Sequence, residues 1–146
     1  MKLGAVILAA GYSSRMNAFK PLLEIGGISA VVRCVELFAS CGLERVVVVT
    51  GHCREKVDAA IMDSGARAVF NPDFDRGMFS SIVAGTKEMD GTDGFFLLPV
   101  DIPLVRPATV AILQEQFDGT LLLNPSFNNT AGHPPLIPAH HYPSII

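Results

Sequence analysis

The chain alternates short apolar runs with longer segments whose apolar residues recur at helical spacing. The runs are Gly4 to Leu8, Arg45 to Thr50 with its four valines, Ala68 to Phe70, and Gly94 to Val100. Continuous apolar runs of this length suit strands buried on both faces. Between the first two, Ser29 is placed to cap a helix running to about Cys41, with Val31, Val35 and Phe38 on one face and Gly42 as the stop. Arg54 to Asp63 reads as a second helix with Val57, Ala60 and Ile61 inward and Gly65 beyond its end. The polar segment from Asn71 to Ser81 opens a third, on which Met78, Ile82 and Met89 share a face before Asp90-Gly91. Ala108 to Phe117 predicts a fourth helix with Val110, Leu113 and Phe117 inward, and Thr120 to Leu123 a fifth strand. This alternation predicts an α/β fold, a doubly wound, mainly parallel sheet with helices on both faces. With no repeat, low-complexity tract or linker, residues 1–146 are expected to form a single domain.

Composition narrows the function. The 146 residues are 49% hydrophobic, enough for one domain with a real core. A net charge of −3 and a pI near 5.7 argue against a nucleic-acid surface, which needs a basic stripe. The apolar runs are too short to cross a bilayer, and the amino terminus enters a strand without a charged-then-apolar leader, so a cytoplasmic protein is expected. Cys34, Cys41 and Cys53 are odd in number and lack Cys-Xaa-Xaa-Cys spacing, which indicates neither a disulfide framework nor a zinc site.

Candidate chemistry collects where the apolar runs end. Ligands of open α/β sheets bind at the carboxyl edge of the strands. After the first run come small residues, Ala9, Ala10, Gly11, Ser13 and Ser14, that let a ligand approach the backbone, and then two cations, Arg15 and Lys20. Exposed N–H groups with two cations suit a polyphosphate, Arg as a planar fork and Lys as a mobile point charge. An ordinary tight turn explains the same small residues, and the loop has neither the P-loop nor the dinucleotide-binding spacing. At the end of the fourth run, Asp101 is a carboxylate beside an apolar core. It suits either a metal held jointly with substrate phosphates or a cap for the helix that Pro107 opens or for an adjacent turn. His52 follows the second run, either touching a ligand or standing in an exposed turn, and Ser80 and Ser81 offer hydroxyls in a helix's first turn. Gly132-His133-Pro134 is a proline-stiffened turn, whereas His140-His141 reads as solvent-exposed.

Leu-Ala-Ala-Gly-Xaa-Ser-Xaa-Arg-Met with Lys20 a few residues on resembles the signature loop of nucleotidyltransferases with a Rossmann-like fold. With Asn71 to Ser81, Asp101-Ile102-Pro103 and Gly132-His133-Pro134 in order, the whole chain is most similar to the molybdenum cofactor cytidylyltransferase and guanylyltransferase family. The resemblance implies transfer of CMP or GMP from a nucleoside triphosphate to a molybdopterin acceptor, with release of pyrophosphate. It implies nucleotide binding by Leu8, Ala9, Ala10, Gly11, Ser13, Arg15, Lys20, Asn71, Gly77, Ser80, Ser81 and Asp101, with Arg15, Lys20 and Asp101 catalytic. It further implies Mg²⁺ on Asp101, acceptor binding by Gly132, His133 and Pro134, and a molybdoenzyme as recipient of the product. Ala10 in Leu-Ala-Ala-Gly, where guanylyltransferases commonly have glycine, tilts the expectation toward CTP. The loop type is shared with sugar-phosphate and terpenoid-precursor nucleotidyltransferases, and a nucleotide-binding domain without turnover is the reading from another class. Two departures stand out. Asn17 replaces the family's usual glycine, and the sequence reaches Ile146 before the Gly-Asp-Xaa-Gly segment in which the family carries a second metal-binding aspartate, so the domain is expected to lack its carboxyl-terminal part, as a fragment, one part of a larger polypeptide or a degenerate member.

Overall fold

A computed structural model of the chain describes residues 1–12 and 18–146. Its central sheet consists of β1 (Leu3–Ala9), β2 (Arg45–Thr50), β3 (Arg67–Phe70), β4 (Gly94–Pro99) and β5 (Leu136–Pro138), in the order β3-β2-β1-β4-β5. The first four are parallel, Val6 facing Val47 on one side and Leu97 on the other, and β5 runs antiparallel to β4 with Phe96 opposite Leu136. The helices are α1 (Ala30–Ser40), α2 (Arg54–Ile61), α3 (Met78–Lys87), α4 (Pro107–Gln116) and the short α5 (Tyr142–Ile145).

β1, β2 and β4 are almost wholly apolar because both their faces are covered, whereas the edge strand β3 leaves Arg67, Ala68 and Phe70 exposed. Ala5, Ile7, Val46, Val48, Phe96 and Leu98 point to the side packed by α1, α2 and α4, where Val31, Val35, Phe38, Val57 and Val110 are buried. Val6, Leu8, Val47, Val49 and Phe95 point to the side of α3 and α5, where Met89 and Tyr142 close the second core. Gly85 is what lets α3 lie this close, since a Cβ there would run into Val6. Gly42, at φ 80°, ends α1 in the left-handed region where glycine is unstrained. The expected doubly wound sheet, with helices on both faces, is the fold observed.

Three local expectations are corrected. Thr120 to Leu123 forms no strand: Leu121 and Leu122 are exposed, and only Leu123 bridges to Leu136. The fifth strand is Leu136–Pro138, and its flanking prolines, which cannot donate to a ladder, hid it. Met78, expected inward with Ile82 and Met89, is 62% exposed, because α3 starts at that residue and its first turn overhangs the sheet edge. The helix at Arg54 stops at Ile61, ahead of Asp63. Among the described residues, no helix is long and apolar enough to cross a membrane.

Candidate active site

Parallel strands deliver their carboxyl ends to one edge, and β1 lies at the centre of the sheet, where the chain order reverses direction on its two sides. A cavity of about 380 Å³ opens there. Its floor is the exit of β1, Leu8 to Tyr12; Lys20, Pro21 and Pro99 to Asp101 form one side, and Phe74, Asp75, Gly77, Met78 and Ser81 the other. Backbone hydrogen bonds fix this floor: Val100 N–H donates to the Leu8 carbonyl at 3.0 Å and His52 N–H to the Ala10 carbonyl at 3.1 Å.

On the β4 side, the Lys20 ammonium stands 3.9 Å from the Asp101 carboxylate, with side chains 29% and 52% exposed. Lys20 belongs to a short 3₁₀ turn, Lys20–Leu22, with Pro21 buried against the core. Asp101 follows the last residues of β4 in a turn closed by Ile102 N–H to the Pro99 carbonyl at 3.1 Å. It does not cap α4, whose N-cap is Arg106. Behind it, the fully buried Cys34 thiol is pushed up to about 12, chiefly by burial and secondarily by the negative charge of Asp101. Among the described residues no cluster of three or more His, Cys, Asp or Glu side chains is positioned to hold a metal.

On the β3 side, Asn71 is buried and its amide is consumed within the protein. Its Nδ2 donates to Ser80 Oγ at 2.8 Å and Ser81 Oγ at 3.0 Å, and its Oδ1 accepts from Asp73 N–H at 3.0 Å. Ser80 Oγ in turn donates to the carbonyls of Gly77 and Asp73. Gly77, at φ 104°, turns the chain into α3, a conformation that favours glycine. Of the nucleotide-binding residues expected in this segment, Gly77 and Ser81 line the cavity, while Asn71 and Ser80 hold the segment's shape.

Gly132 and His133 do not line this cavity. They border a wider one of about 730 Å³ with Leu104 to Arg106 and the exposed hairpin carrying Phe127, while Pro134 is buried. Pro135, next along, accepts a hydrogen bond from Leu97 N–H at 3.1 Å, which sets the Gly132–Pro134 turn beside the end of β4. The segment from Pro99 to Arg106 therefore borders both cavities, with Asp101 in the first and Arg106 in the second. Ser13 and Arg15 lie outside the described residues, as do Ser14, Met16 and Asn17.

Sequence reasoning missed an aromatic group at the mouth of the first cavity. The Tyr12 ring lies 4.7 Å from that of His52 and 5.4 Å from that of Phe74, and Phe19 meets His52 edge-on at 5.9 Å. No periodicity joins these residues, which come from three different loops. The available signals were Tyr12 and Phe74, inside segments already marked as ligand-binding, and His52, already read as either touching a ligand or standing in an exposed turn.

A family model described as the MobA-like NTP transferase domain matches residues 5–146. The chain is 37% identical over 90 residues to a bifunctional IPC transferase and DIPP synthase of Rubrobacter xylanophilus, a match covering 58% of this chain and 21% of that protein. Its structure is similar to that of a nucleotidyl transferase from Methanothermobacter, with TM-score 0.84 and 26% identity over 98% of this chain and 74% of the other. It is also similar to a CMP:2-keto-3-deoxy-manno-octonic acid synthetase complexed with CTP, with TM-score 0.70 and 26% identity over 84% of this chain and 50% of the other. The chain spans about a fifth to a quarter of the length of the curated relatives it matches.

Proposed function

The chain belongs to the MobA-like NTP transferase domain family, and on that premise we propose that it transfers a CMP unit from CTP, or GMP from GTP, to a molybdopterin acceptor and releases pyrophosphate. The observation that carries the reading is the pairing of Lys20 with Asp101 across the mouth of β1 and β4, in a cavity floored by the backbone of Leu8 to Gly11.

In the proposed reaction, an oxygen of the acceptor's terminal phosphate forms a bond to the α-phosphorus. The bond from that phosphorus to the bridging oxygen of the β-phosphate breaks, and pyrophosphate leaves with the electron pair. Such transfer depends on positioning and charge neutralisation more than on a protein nucleophile. Lys20 supplies a mobile cation for charge growing on the leaving phosphates, Arg15 a planar fork on the same loop, and Ala9, Ala10, Gly11 and Ser13 a close backbone approach. Asn71, through Ser80 and Ser81, sets the wall that would face the nucleoside. The second cavity, beyond Pro99 to Arg106, would take the acceptor at Gly132, His133 and Pro134.

One half-exposed carboxylate beside a phosphate-directed lysine fits Mg²⁺, which is commonly held by one or two carboxylates plus substrate oxygens. Asp101 would hold the ion, which when bound offsets phosphate charge. The structural likeness to a CTP-complexed synthetase supports the nucleotide half of the reading, and so does Ala10. That likeness also supports a second reading, cytidylyl transfer to a sugar acid. Pyrophosphate release should be greater with CTP than with GTP when molybdopterin is the acceptor. Release that requires a sugar acid or sugar phosphate in place of molybdopterin would replace the first reading with the second, and no release with any acceptor would leave nucleotide binding alone.

A further inference from the structure

The aromatic group at the cavity mouth is not used by the chemistry above, and the chain is built to hold it. Gly51 is the clearest sign: a Cβ there would approach Phe74 at 2.6 Å and the Ala10 carbonyl at 2.8 Å, so only glycine lets the Phe74 ring close on the β1 exit. His52 is tied to that exit by its N–H bond to Ala10, and Tyr12 packs on both rings. Despite these neighbours Tyr12 remains 55% exposed, and it lines the cavity together with Phe74. A large ring backed by two others and open on its remaining surface has the form of a stacking platform. Aromatic surfaces of this kind hold nucleobases through their π-faces, largely irrespective of base identity.

Placement within the cavity agrees. Lys20 and Asp101 occupy the β4 side, Phe74 follows β3 at the other, and Tyr12 continues the β1 floor between them. We propose that Tyr12, braced by Phe74 and His52, is the surface on which the base of the nucleoside triphosphate stacks, so that base and phosphates are held by separable groups. The inference rests on the nucleotide reading of the cleft.

The chain has no tryptophan and its second tyrosine, Tyr142, is buried against Thr92 away from the cavity, so a change of tyrosine emission on adding ligand, absent in Tyr12→Ala, reports on Tyr12. Titrate the protein with CTP and with inorganic tripolyphosphate, following that emission and, by calorimetry, affinity. CTP should quench the emission and tripolyphosphate should not. Tyr12→Ala should weaken CTP about tenfold, leave tripolyphosphate affinity unchanged, and keep the melting temperature, since the side chain is more than half exposed; Tyr12→Phe should restore CTP affinity. Equal loss of CTP and tripolyphosphate would show that Tyr12 merely shapes the phosphate loop, and undiminished CTP affinity in Tyr12→Ala would remove the platform, either result leaving the nucleotide reading intact. A wild-type protein that binds neither ligand would overturn that reading and the platform with it.

Discussion

Two polar clusters stand at the same edge of the sheet and are built on opposite terms. In Asn71-Ser80-Ser81 every observed contact is short and internal: a buried amide bridges two hydroxyls and a backbone N–H at 2.8 to 3.0 Å. In Lys20-Asp101 the partners stand 3.9 Å apart and the carboxylate is half exposed. A polar group buried in the first manner offsets its own desolvation and specifies a loop shape. A pair held in the second manner gains little, since exposed ion pairs contribute between zero and about 1 kcal/mol. On the proposed reading, the contrast separates residues that would make the site from residues that would act in it.

The sharpest way to break the comparison is Asp101→Asn. The substitution keeps the size of the side chain but removes an anion that would hold a cation near the reacting phosphates, so turnover should fall by about a hundredfold. The melting temperature should hardly move. Pyrophosphate release as a function of Mg²⁺ concentration, with thermal melts alongside, checks both halves. A large loss of stability with retained turnover would move Asp101 into the structural class.

Asn71→Ala should do the reverse. Removing a buried amide takes a partner from the buried Ser81 hydroxyl and from the Asp73 N–H, while Ser80 keeps its bonds to the Gly77 and Asp73 carbonyls; the loss should be about 2 kcal/mol in stability, visible as a melting temperature lower by several degrees. Tripolyphosphate affinity of the folded protein, measured well below the melt, should change little. Loss of affinity without loss of stability would place Asn71 among the residues that act.

The smallest effect concerns the thiol behind Asp101. Because burial and, secondarily, Asp101 raise Cys34 from 9.0 to about 12, the neutral thiol stabilises the fold fully below pH 9, and that contribution is lost as pH rises toward 12. Asp101→Asn removes only the lesser cause. It should lower the folded thiol's pKa slightly and make the protein marginally more resistant to alkali. Denaturation midpoints followed by circular dichroism from pH 8 to 11 would test this, and an earlier alkaline loss in the variant would contradict the assignment of causes.

Much of the frame was legible before any coordinates. Strands buried on both faces must be apolar at every position, so β1, β2 and β4 announced themselves, and the helical spacing of Val31, Val35 and Phe38 located α1. Parallel strands bring their exits to one edge, which is why Lys20 and Asp101, 81 positions apart, could be expected at one site. The family's motifs supplied roles that spacing alone could not.

Tertiary structure decided what depends on partners distant in sequence. Leu136–Pro138 became the fifth strand because β4 offered an open ladder, overriding both its prolines and the stronger apolar run at Thr120 to Leu123. Only packing showed that Asn71 is consumed by Ser80 and Ser81, since a lone asparagine reads the same whether its amide faces a ligand or a hydroxyl. The Tyr12, His52 and Phe74 group likewise has no sequence period, because side chains drawn together from three loops are related only by the fold that carries those loops. Local pattern fixes which face of an element is buried; which loops meet above the sheet is set by strand order, and strand order is a property of the assembled core.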